Sequence, residues 1–228
     1  MPGLRYFFDA FSQPSRAVMI LLRANKIPYE PVIVNIAKLE NRSNEEFMKV
    51  CPAKTVPAID DNGFKLFESA AIMRYLVSKY NLPDHWYPAN PERRAKVDEY
   101  LDWHHTNTRA GAAMYFANQF LIPRFTGGEI DMSKVEEAQK KLHKSIKLIE
   151  GHFLANTKYL AGDEISIADV QAVCEFTQLW MPDYKAYEAG SRIDTWMNDC
   201  KERLQPYFDE THKMVYYGIK SGLFKSKL

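Results

Sequence analysis

The sequence predicts a small α/β domain followed by a larger all-helical domain. Strand and helix patterns alternate over residues 1–80, whereas only helical periodicity is found in residues 92–228. Residues 81–91 separate the two patterns and contain three prolines and several small polar residues, a composition typical of a linker. At 228 residues, the chain is long enough to bury the cores of two such domains.

The first domain opens with a strand, a helix and a second strand. Residues 4–10 are rich in aromatic side chains and are followed by a Ser/Gln/Pro cluster, which favours a strand. From Pro14 onward, apolar residues recur at helical spacing, so a helix of about three turns is expected. Residues 29–36 are rich in β-branched side chains and predict a second strand, which should lie parallel to the first.

A short helix, a hairpin and a longer helix complete the first domain. Residues 42–50 predict the short helix, with Ser43 or Asn44 as its cap. Two short apolar runs flank the turn signal at 61–63 and predict the hairpin. Glu68-Ser69 then begins a helix, so the expected order is β–α–β–α–β–β–α.

Composition excludes several classes of protein. The 30 basic and 29 acidic residues leave a net charge of +1, which does not favour a nucleic-acid partner. The three cysteines are far apart and show no metal-binding spacing, so we expect reduced thiols, a cytoplasmic location and no metal site. The first residues lack a signal-peptide layout, and no stretch approaches ~20 consecutive apolar residues, so no membrane partner is predicted.

Two segments link this order of elements to a known family. They are FSQPSRA at 11–17 and WYPANPERRAKVDEYLDWHHTNTR at 86–109. With these segments, the whole chain resembles the cytosolic glutathione S-transferases, and most closely their theta class. The resemblance implies a thioredoxin-like first domain, a homodimer, and glutathione as co-substrate without a further cofactor. It also implies conjugation of the glutathione thiolate to small hydrophobic electrophiles, with glutathione peroxidase activity as a secondary reaction.

Ser12 is the first candidate catalytic residue. Taken alone, a serine just before a helix favours a turn or capping hydroxyl. The resemblance instead implies that Ser12 donates a hydrogen bond to the glutathione thiolate. Tyr6 is the alternative donor, because other transferase classes use a tyrosine near the end of the first strand; a core-facing aromatic ring is the favoured interpretation of Tyr6. The absence of cysteine at this helix entry argues against thiol-disulfide exchange chemistry.

Arg109 is the second candidate catalytic residue, and it lies late in the first long helix predicted for the second domain, over residues 92–121. An arginine in this position is usually a solvated surface charge, but the resemblance implies that it points at the thiolate, which a guanidinium can stabilise. His104 and His105 do not match the family's catalytic pattern, and we expect them to be structural.

Val56-Pro57 and Glu68-Ser69 are the candidate glutathione-binding pairs. A proline at the start of a strand is compatible with a simple strand entry. Thioredoxin-like folds place a cis-proline there, which would let Val56 pair with the cysteinyl unit of glutathione. Ser69 and the free N–H groups of its helix would bind the γ-glutamyl carboxylate, and Glu68 would bind the ammonium group. An ordinary N-cap is the alternative.

Asn41 and Lys54 could reach the glycyl carboxylate of glutathione. Many theta-class relatives carry histidine where Asn41 falls, and a neutral amide cannot add charge, so affinity would depend more on Lys54. Exposed loop residues without a ligand remain the alternative.

The helical domain supplies a structural motif and a candidate electrophile site. Residues 166–169 fit a capping box in which Asp169 replaces the usual glutamate, and we interpret it as a folding signal. Most apolar residues at helical spacing are core, but some near the domain boundary could line an electrophile pocket. The candidates are Met114, Tyr115, Phe116, Phe176 and Trp180.

Two other functions stay open at the level of sequence. The first is a glutathione-fold binding or scaffold protein without turnover, because a fold does not determine a function. The second is a thiol oxidoreductase that uses one of the three cysteines.

Overall fold

A four-stranded mixed sheet forms the centre of the first domain. The computed structural model describes residues 3–224, so the first two and last four residues of the predicted domains lie outside it. The strands are β1 (Leu4–Phe8), β2 (Glu30–Ile33), β3 (Ala58–Asp61) and β4 (Phe64–Phe67), in the spatial order β2-β1-β3-β4. β1 pairs with β2 in parallel, as predicted, and β3 is antiparallel to both β1 and β4.

Four α-helices and a 3₁₀ turn (Ile36–Lys38) complete the described part of this domain, and apart from α2 and that turn they follow the predicted order. The four helices are α1 (Gln13–Ala24), α2 (Glu40–Ser43), α3 (Glu45–Val50) and α4 (Ser69–Lys79). Asn44, rather than Ser43, caps α3, because its side chain accepts a hydrogen bond from the N–H of Phe47 at 3.0 Å. The short α2 was not separated from α3 in the sequence pattern, and it begins directly after Leu39 in the left-handed conformation.

Helices make up the described regular structure of the second domain, apart from one isolated bridge between Tyr159 and Gly162. A 3₁₀ turn (Asp84–Trp86) precedes this domain, and Asn90 caps its first helix through the N–H groups of Glu92 and Arg93. Two five-residue π-helical turns, Ala117–Leu121 and Ile149–Phe153, extend α6 and α8. The helices are α5 (Pro91–Thr106), α6 (Thr108–Phe116), α7 (Ile122–Thr126), α8 (Met132–Leu148), α9 (Ile167–Gln178), α10 (Arg192–Arg203), α11 (Tyr207–Thr211) and α12 (Lys213–Ser221).

One long helix in the sequence pattern is broken in the structure. Asn107 takes a non-helical conformation (φ −122°, ψ −84°), and its amide donates to the carbonyl oxygen of Trp103 at 2.9 Å. The side chain thus competes with the helical backbone for a hydrogen bond, as asparagine does at helix ends. Arg109 consequently lies in the first turn of α6 and not late in α5.

The predicted capping box at the start of α9 is confirmed. The buried Asp169 accepts hydrogen bonds from the backbone N–H and the hydroxyl of Ser166, at 2.9 and 3.0 Å. Its other oxygen accepts from the N–H of Leu160 and from the indole of Trp196, both at 2.9 Å. Burial raises the pKa of Asp169 although these bonds lower it. Asp169 therefore connects α9, α10 and the loop before α9.

α9 is buried along its whole length and packs against α1 of the first domain. The fully buried Arg16 of α1 reaches across this contact. Its guanidinium donates to the carbonyl oxygen of Cys174 at 3.0 Å and to the side chain of Gln178 at 2.9 Å. It also donates to the carbonyl oxygen of Phe11 at 2.9 Å, so one side chain joins α1, the loop before it, and α9.

Candidate functional site

A cavity of about 240 Å³ lies at the junction of the two domains. Ligand sites are frequently found at such junctions. The first domain contributes six of the lining residues and the helical domain three. They are Pro14, Thr55, Val56, Pro57, Glu68 and Ser69, then His105, Arg109 and Gln171.

The cis-proline lies in the wall of this cavity. The Val56–Pro57 peptide bond is cis, which confirms the prediction made for this position, and Ala58 begins β3 directly after it. Val56 is buried, and the neighbouring Thr55 is exposed. Because Val56 lines the cavity just outside the sheet, an extended peptide could align with the backbone there.

The start of α4 forms another part of the wall. Glu68 precedes the helix with a positive φ of 73°, and its side chain makes no capping hydrogen bond. Ser69 is the first helical residue and is 3% exposed, whereas Glu68 is exposed. The first turn of this eleven-residue helix carries no acidic side chain, so its N–H groups suit a ligand carboxylate.

Ser12 caps α1 next to the cavity. Its hydroxyl oxygen accepts a hydrogen bond from the N–H of Ser15 at a long distance of 3.4 Å. Ser12 is not among the lining residues, but Pro14, two residues later in the same helix start, is. A serine hydroxyl that accepts one bond still has its own proton to donate, so the capping and ligand-binding roles are compatible.

Tyr6, the alternative donor, is fully buried beneath α1. Its hydroxyl donates to the carbonyl oxygen of Ser15 at 2.5 Å, and its ring stacks on Phe8. Burial raises the pKa of Tyr6 well above its ordinary value. Tyr6 is therefore a core residue, as the favoured interpretation predicted.

Arg109 is held by a buried carboxylate from α9. Its Nη1 lies 2.5 Å from Oε1 of Glu175, which is fully buried, whereas the Arg109 side chain keeps 36% of its surface exposed. Burial alone would raise the pKa of Glu175, but Arg109 and His104 together lower it to about 2. The negative charge of Glu175 in turn raises the pKa of Arg109. The charged pair fixes one side of the guanidinium, and Arg109 lines the cavity beside Glu68.

His104 and His105 have different positions on α5. His105 is exposed and lines the cavity. His104 is fully buried, with its Nε2 3.6 Å from Oε1 of Glu175, and burial lowers its pKa. His104 thus belongs to the buried network behind Arg109, and His105 to the cavity wall.

Asn41 and Lys54 lie next to each other but outside the lining of the cavity. The Asn41 amide donates to the carbonyl oxygen of Lys54 at 2.8 Å, and Lys54 has a positive φ of 58°. Asn41 therefore stabilises the loop that carries Lys54.

The five candidate electrophile residues do not form one group, and none lines the 240 Å³ cavity. Met114 is 44% exposed, and the buried Tyr115 packs on Tyr184 with ring centroids 4.2 Å apart. Phe176 is fully buried against Trp196, and Trp180 packs on Phe208. Phe116 belongs to a separate apolar cluster near α1. The other buried members are Met181, Val215 and Phe224, and Phe11 packs against them.

Sequence reasoning missed Gln171 and Glu175. They are polar residues one turn apart on the same face of α9, which is buried along its whole length. Two such residues in a fully buried helix were a usable signal, because buried polar groups need partners. The partner of Glu175 lies 66 residues away, at Arg109, and Gln171 contacts the cavity, so the pattern could not identify either environment.

The described chain shows neither a cluster of metal-binding side chains nor a membrane-spanning helix. Among residues 3–224, no three His, Cys, Asp or Glu side chains are grouped as a metal site would require. Over the same residues, no helix combines the length and apolar character that a membrane span needs.

Comparison with known proteins agrees with this architecture. Residues 4–78 match the model of the glutathione S-transferase N-terminal domain, and residues 107–203 match that of the C-terminal domain. Glutathione S-transferase T1 of Arabidopsis thaliana is 39% identical, over 100% of this chain and 94% of that protein. Glutathione S-transferase theta-1 of Homo sapiens is 35% identical, over 93% of this chain and 89% of that protein.

Solved structures show the same likeness. Human glutathione transferase theta-2, in complex with glutathione and an unknown ligand, superposes with a TM-score of 0.90 and 32% identity. This superposition covers 96% of this chain and 90% of the human one. Human glutathione S-transferase T1-1 in its apo form gives a TM-score of 0.88 and 33% identity over 95% and 91% of the chains. This chain belongs to the theta class of the glutathione S-transferase family.

Proposed function

We propose that this protein is a glutathione S-transferase that conjugates the glutathione thiolate to small hydrophobic electrophiles, with Ser12 stabilising the thiolate. The observation that carries the proposal is the cavity itself. It brings the cis Val56–Pro57 bond, the start of α4 and the start of α1 together at the domain junction. The first two suit the backbone and the γ-glutamyl end of glutathione, and the third receives the thiol between them.

The reaction requires that the bound thiol lose its proton near neutral pH. A free thiol with a pKa of about 8.5 is only ~3% ionised at pH 7. Lowering the pKa to about 6 makes it ~90% ionised, a stabilisation of roughly 3.4 kcal/mol. A hydroxyl hydrogen bond, a helix N-terminus and a nearby guanidinium together can supply this amount.

Ser12 and Arg109 have distinct roles in this proposal. Ser12 caps the N-terminus of α1, so its donated proton and the helix dipole act on the same sulfur atom. Arg109 acts from the helical domain, where its salt bridge to Glu175 leaves the far side of the guanidinium free to face the cavity. Because the pair is neutral overall, Arg109 contributes a fixed hydrogen-bond donor more than a net charge.

The remaining contacts bind the two ends of glutathione. We assign the γ-glutamyl carboxylate to Ser69 and the first N–H groups of α4, and the ammonium to the exposed carboxylate of Glu68. Val56 pairs with the cysteinyl unit, and Lys54 binds the glycyl carboxylate. Asn41 acts mainly by fixing the Lys54 loop, since its amide already bonds to the backbone there.

For the electrophile, the apolar cluster around Phe116 is the candidate best supported by position. Phe116 and Phe224 lie 5.0 Å apart between ring centroids, and Phe224 also contacts Phe11, the residue before Ser12. Met114 and Tyr115 lie on the same helix. Phe176 and Trp180 pack instead in the helical core, on Trp196 and Phe208.

The test is conjugation and peroxidase activity with an electrophile and hydroperoxide panel, wild type against Ser12→Ala. We expect the variant to lose conjugation at least tenfold at pH 6.5 and to raise the pKa of bound glutathione by about one unit, the weight of one hydrogen bond to a charged group. Ser191→Ala is the matched control, because Ser191 caps α10 with a similar 3.3 Å bond far from the cavity. Unchanged conjugation and thiol pKa in Ser12→Ala would remove Ser12 from the mechanism.

A homodimer and a cytoplasmic location are also part of this proposal. An isologous dimer is the commonest symmetric assembly, and three buried, unpaired cysteines fit a reducing compartment. Light scattering tests the dimer. Localisation is tested with a tag at the amino end, because Ser226-Lys227-Leu228 is a tripeptide that peroxisomal import reads when it forms a free carboxyl terminus.

A further inference from the structure

Gln171 is an unpaired polar side chain inside the wall of the cavity. It is 2% exposed and lies in the middle of α9, whose residues are all buried. Its Oε1 is buried and has no hydrogen-bond partner among the described residues. Buried side-chain oxygens without a partner are uncommon in folded proteins, and each requires an explanation.

A second glutamine on the same helix, Gln178, has a hydrogen-bond partner for its buried side-chain oxygen. Gln178 is equally buried, at 2% exposed, and its Oε1 accepts a hydrogen bond from Arg16 at 2.9 Å. Gln178 therefore joins α9 to the first domain, whereas Gln171 contacts the cavity. The difference between the two glutamines is that only Gln171 faces space that a ligand can fill.

The chemistry of the neighbouring wall indicates which ligand group would meet Gln171. The first turn of α4 and Ser69 provide hydrogen-bond donors, which suit a carboxylate. An α-ammonium group beside that carboxylate has three N–H donors and needs acceptors. Glu68 offers one carboxylate, but it is exposed and precedes α4 in the first domain. A fixed, buried acceptor on the opposite wall would satisfy a second N–H.

We propose that Gln171 is a specificity-determining residue that accepts a hydrogen bond from the α-ammonium group of the γ-glutamyl unit. This inference rests on the proposed function, because it assumes that glutathione occupies the cavity. Gln171 joins Arg109 as a second contact from the helical domain, so recognition of the tripeptide requires both domains. No group of the described chain bonds to the side-chain oxygen of Gln171, so a ligand N–H meets no competing protein donor there.

The experiment measures equilibrium binding and thermal unfolding of the full chain, without a conjugation step. The variants are Gln171→Met and, as a matched control, Gln178→Met, since methionine has nearly the shape of glutamine but cannot accept this bond. The probes are glutathione and its analogue in which a hydrogen replaces the α-amino group. Wild type should bind glutathione at least tenfold more tightly than the analogue.

For Gln171→Met we expect about a tenfold weaker Kd for glutathione and an unchanged Kd for the analogue. Its melting temperature without ligand should stay close to that of wild type, because the lost oxygen has no bonding partner among the described residues. For Gln178→Met the melting temperature should fall, and the ratio of the two Kd values should stay that of wild type.

Three results would overturn the proposal. They are equal binding of glutathione and the analogue by wild type, equal losses for both ligands in Gln171→Met, and unchanged glutathione binding by that variant. Equal binding by wild type overturns the proposal even if a variant fails to fold. Tighter binding of glutathione by wild type does not separate Gln171 from Glu68, so Gln171→Leu is the second variant, with the same expected results as Gln171→Met. If wild type binds neither ligand, both this proposal and the proposed function fail. The thiol pKa measured in Ser12→Ala, in contrast, tests the proposed function and not the role of Gln171.

Discussion

The two walls of the cavity are built in different ways. The first domain contributes backbone groups and short side chains at the ends of elements, such as the cis peptide before β3 and the starts of α1 and α4. The helical domain contributes long side chains from the middle of its fold, and a fully buried carboxylate holds Arg109 in place. The first wall therefore depends on local backbone geometry, and the second on charges and hydrogen bonds buried inside the domain.

The strongest test of this contrast is removal of a buried carboxylate in the helical domain. Asp169→Ala leaves four donors without an acceptor, from Ser166, Leu160 and Trp196. We expect the free energy of unfolding to fall by about 4 kcal/mol, since each buried unsatisfied donor costs about 1 kcal/mol or more. Urea unfolding, monitored by tryptophan fluorescence, measures this loss of stability. A loss under 1 kcal/mol would show that this domain does not depend on the carboxylate.

Glu175→Gln is expected to have the next largest effect. Breaking the buried pair with Arg109 should lower the free energy of unfolding by about 3 kcal/mol at pH 7. The pKa of Glu175 is about 2 in the folded protein against an ordinary value of 4.5. The folded state thus binds this proton more weakly than the unfolded state, so the pair stabilises the protein above pH 4.5 and loses its effect as the pH falls toward 2.

The measurement for Glu175→Gln is the stability difference from wild type in urea at several pH values between 7 and 3. That difference should shrink as the pH falls, and a constant difference would contradict the assigned pairing. Glu99→Gln is the matched control, because Glu99 forms partly exposed pairs with Lys96 and His152. Pairs of that kind contribute about 0.5 kcal/mol.

On the first-domain wall, Ser12→Ala should change stability much less. Its capping bond is long, at 3.4 Å, so the expected loss of unfolding free energy is about 0.5–1 kcal/mol. Ser191→Ala should lose a similar amount. A loss of 2 kcal/mol or more for Ser12→Ala in urea unfolding would mean that this hydroxyl serves chiefly as a cap.

The smallest expected effect is that of Asn41→His. Histidine could add a charge near the glycyl carboxylate, but it would lose the amide bond to the carbonyl oxygen of Lys54. We expect these effects to leave the Kd of the variant for glutathione within about threefold of the wild-type value at pH 7. At pH 6, where an ordinary histidine is largely protonated, the variant should bind glutathione more tightly. Calorimetric titration at both pH values measures these Kd values. Weaker glutathione binding by the variant at pH 6 than at pH 7 would contradict the prediction.

The features that the sequence predicts depend on local structure, and the features that it misses depend on contacts between distant segments. The order of elements in the first domain, the cis-proline and the capping box at Ser166 depend on neighbours in the chain, so short patterns were sufficient. The break at Asn107 was missed because asparagine within a helical pattern can follow the helix or cap it. Gln171 and Glu175 were missed because their surroundings come from α1, α4 and α6, which only the folded chain brings next to α9.

Arg16 has a consequence for any attempt to study the domains apart. Its guanidinium lies in the first domain, yet two of its acceptors, Cys174 and Gln178, belong to α9. A fragment ending near residue 80 would expose the apolar face of α1 and leave this cation without those acceptors. We therefore expect the isolated fragment to aggregate or unfold. We also expect the two domains to evolve together, because a first domain joined to a different helical domain would still need acceptors for Arg16.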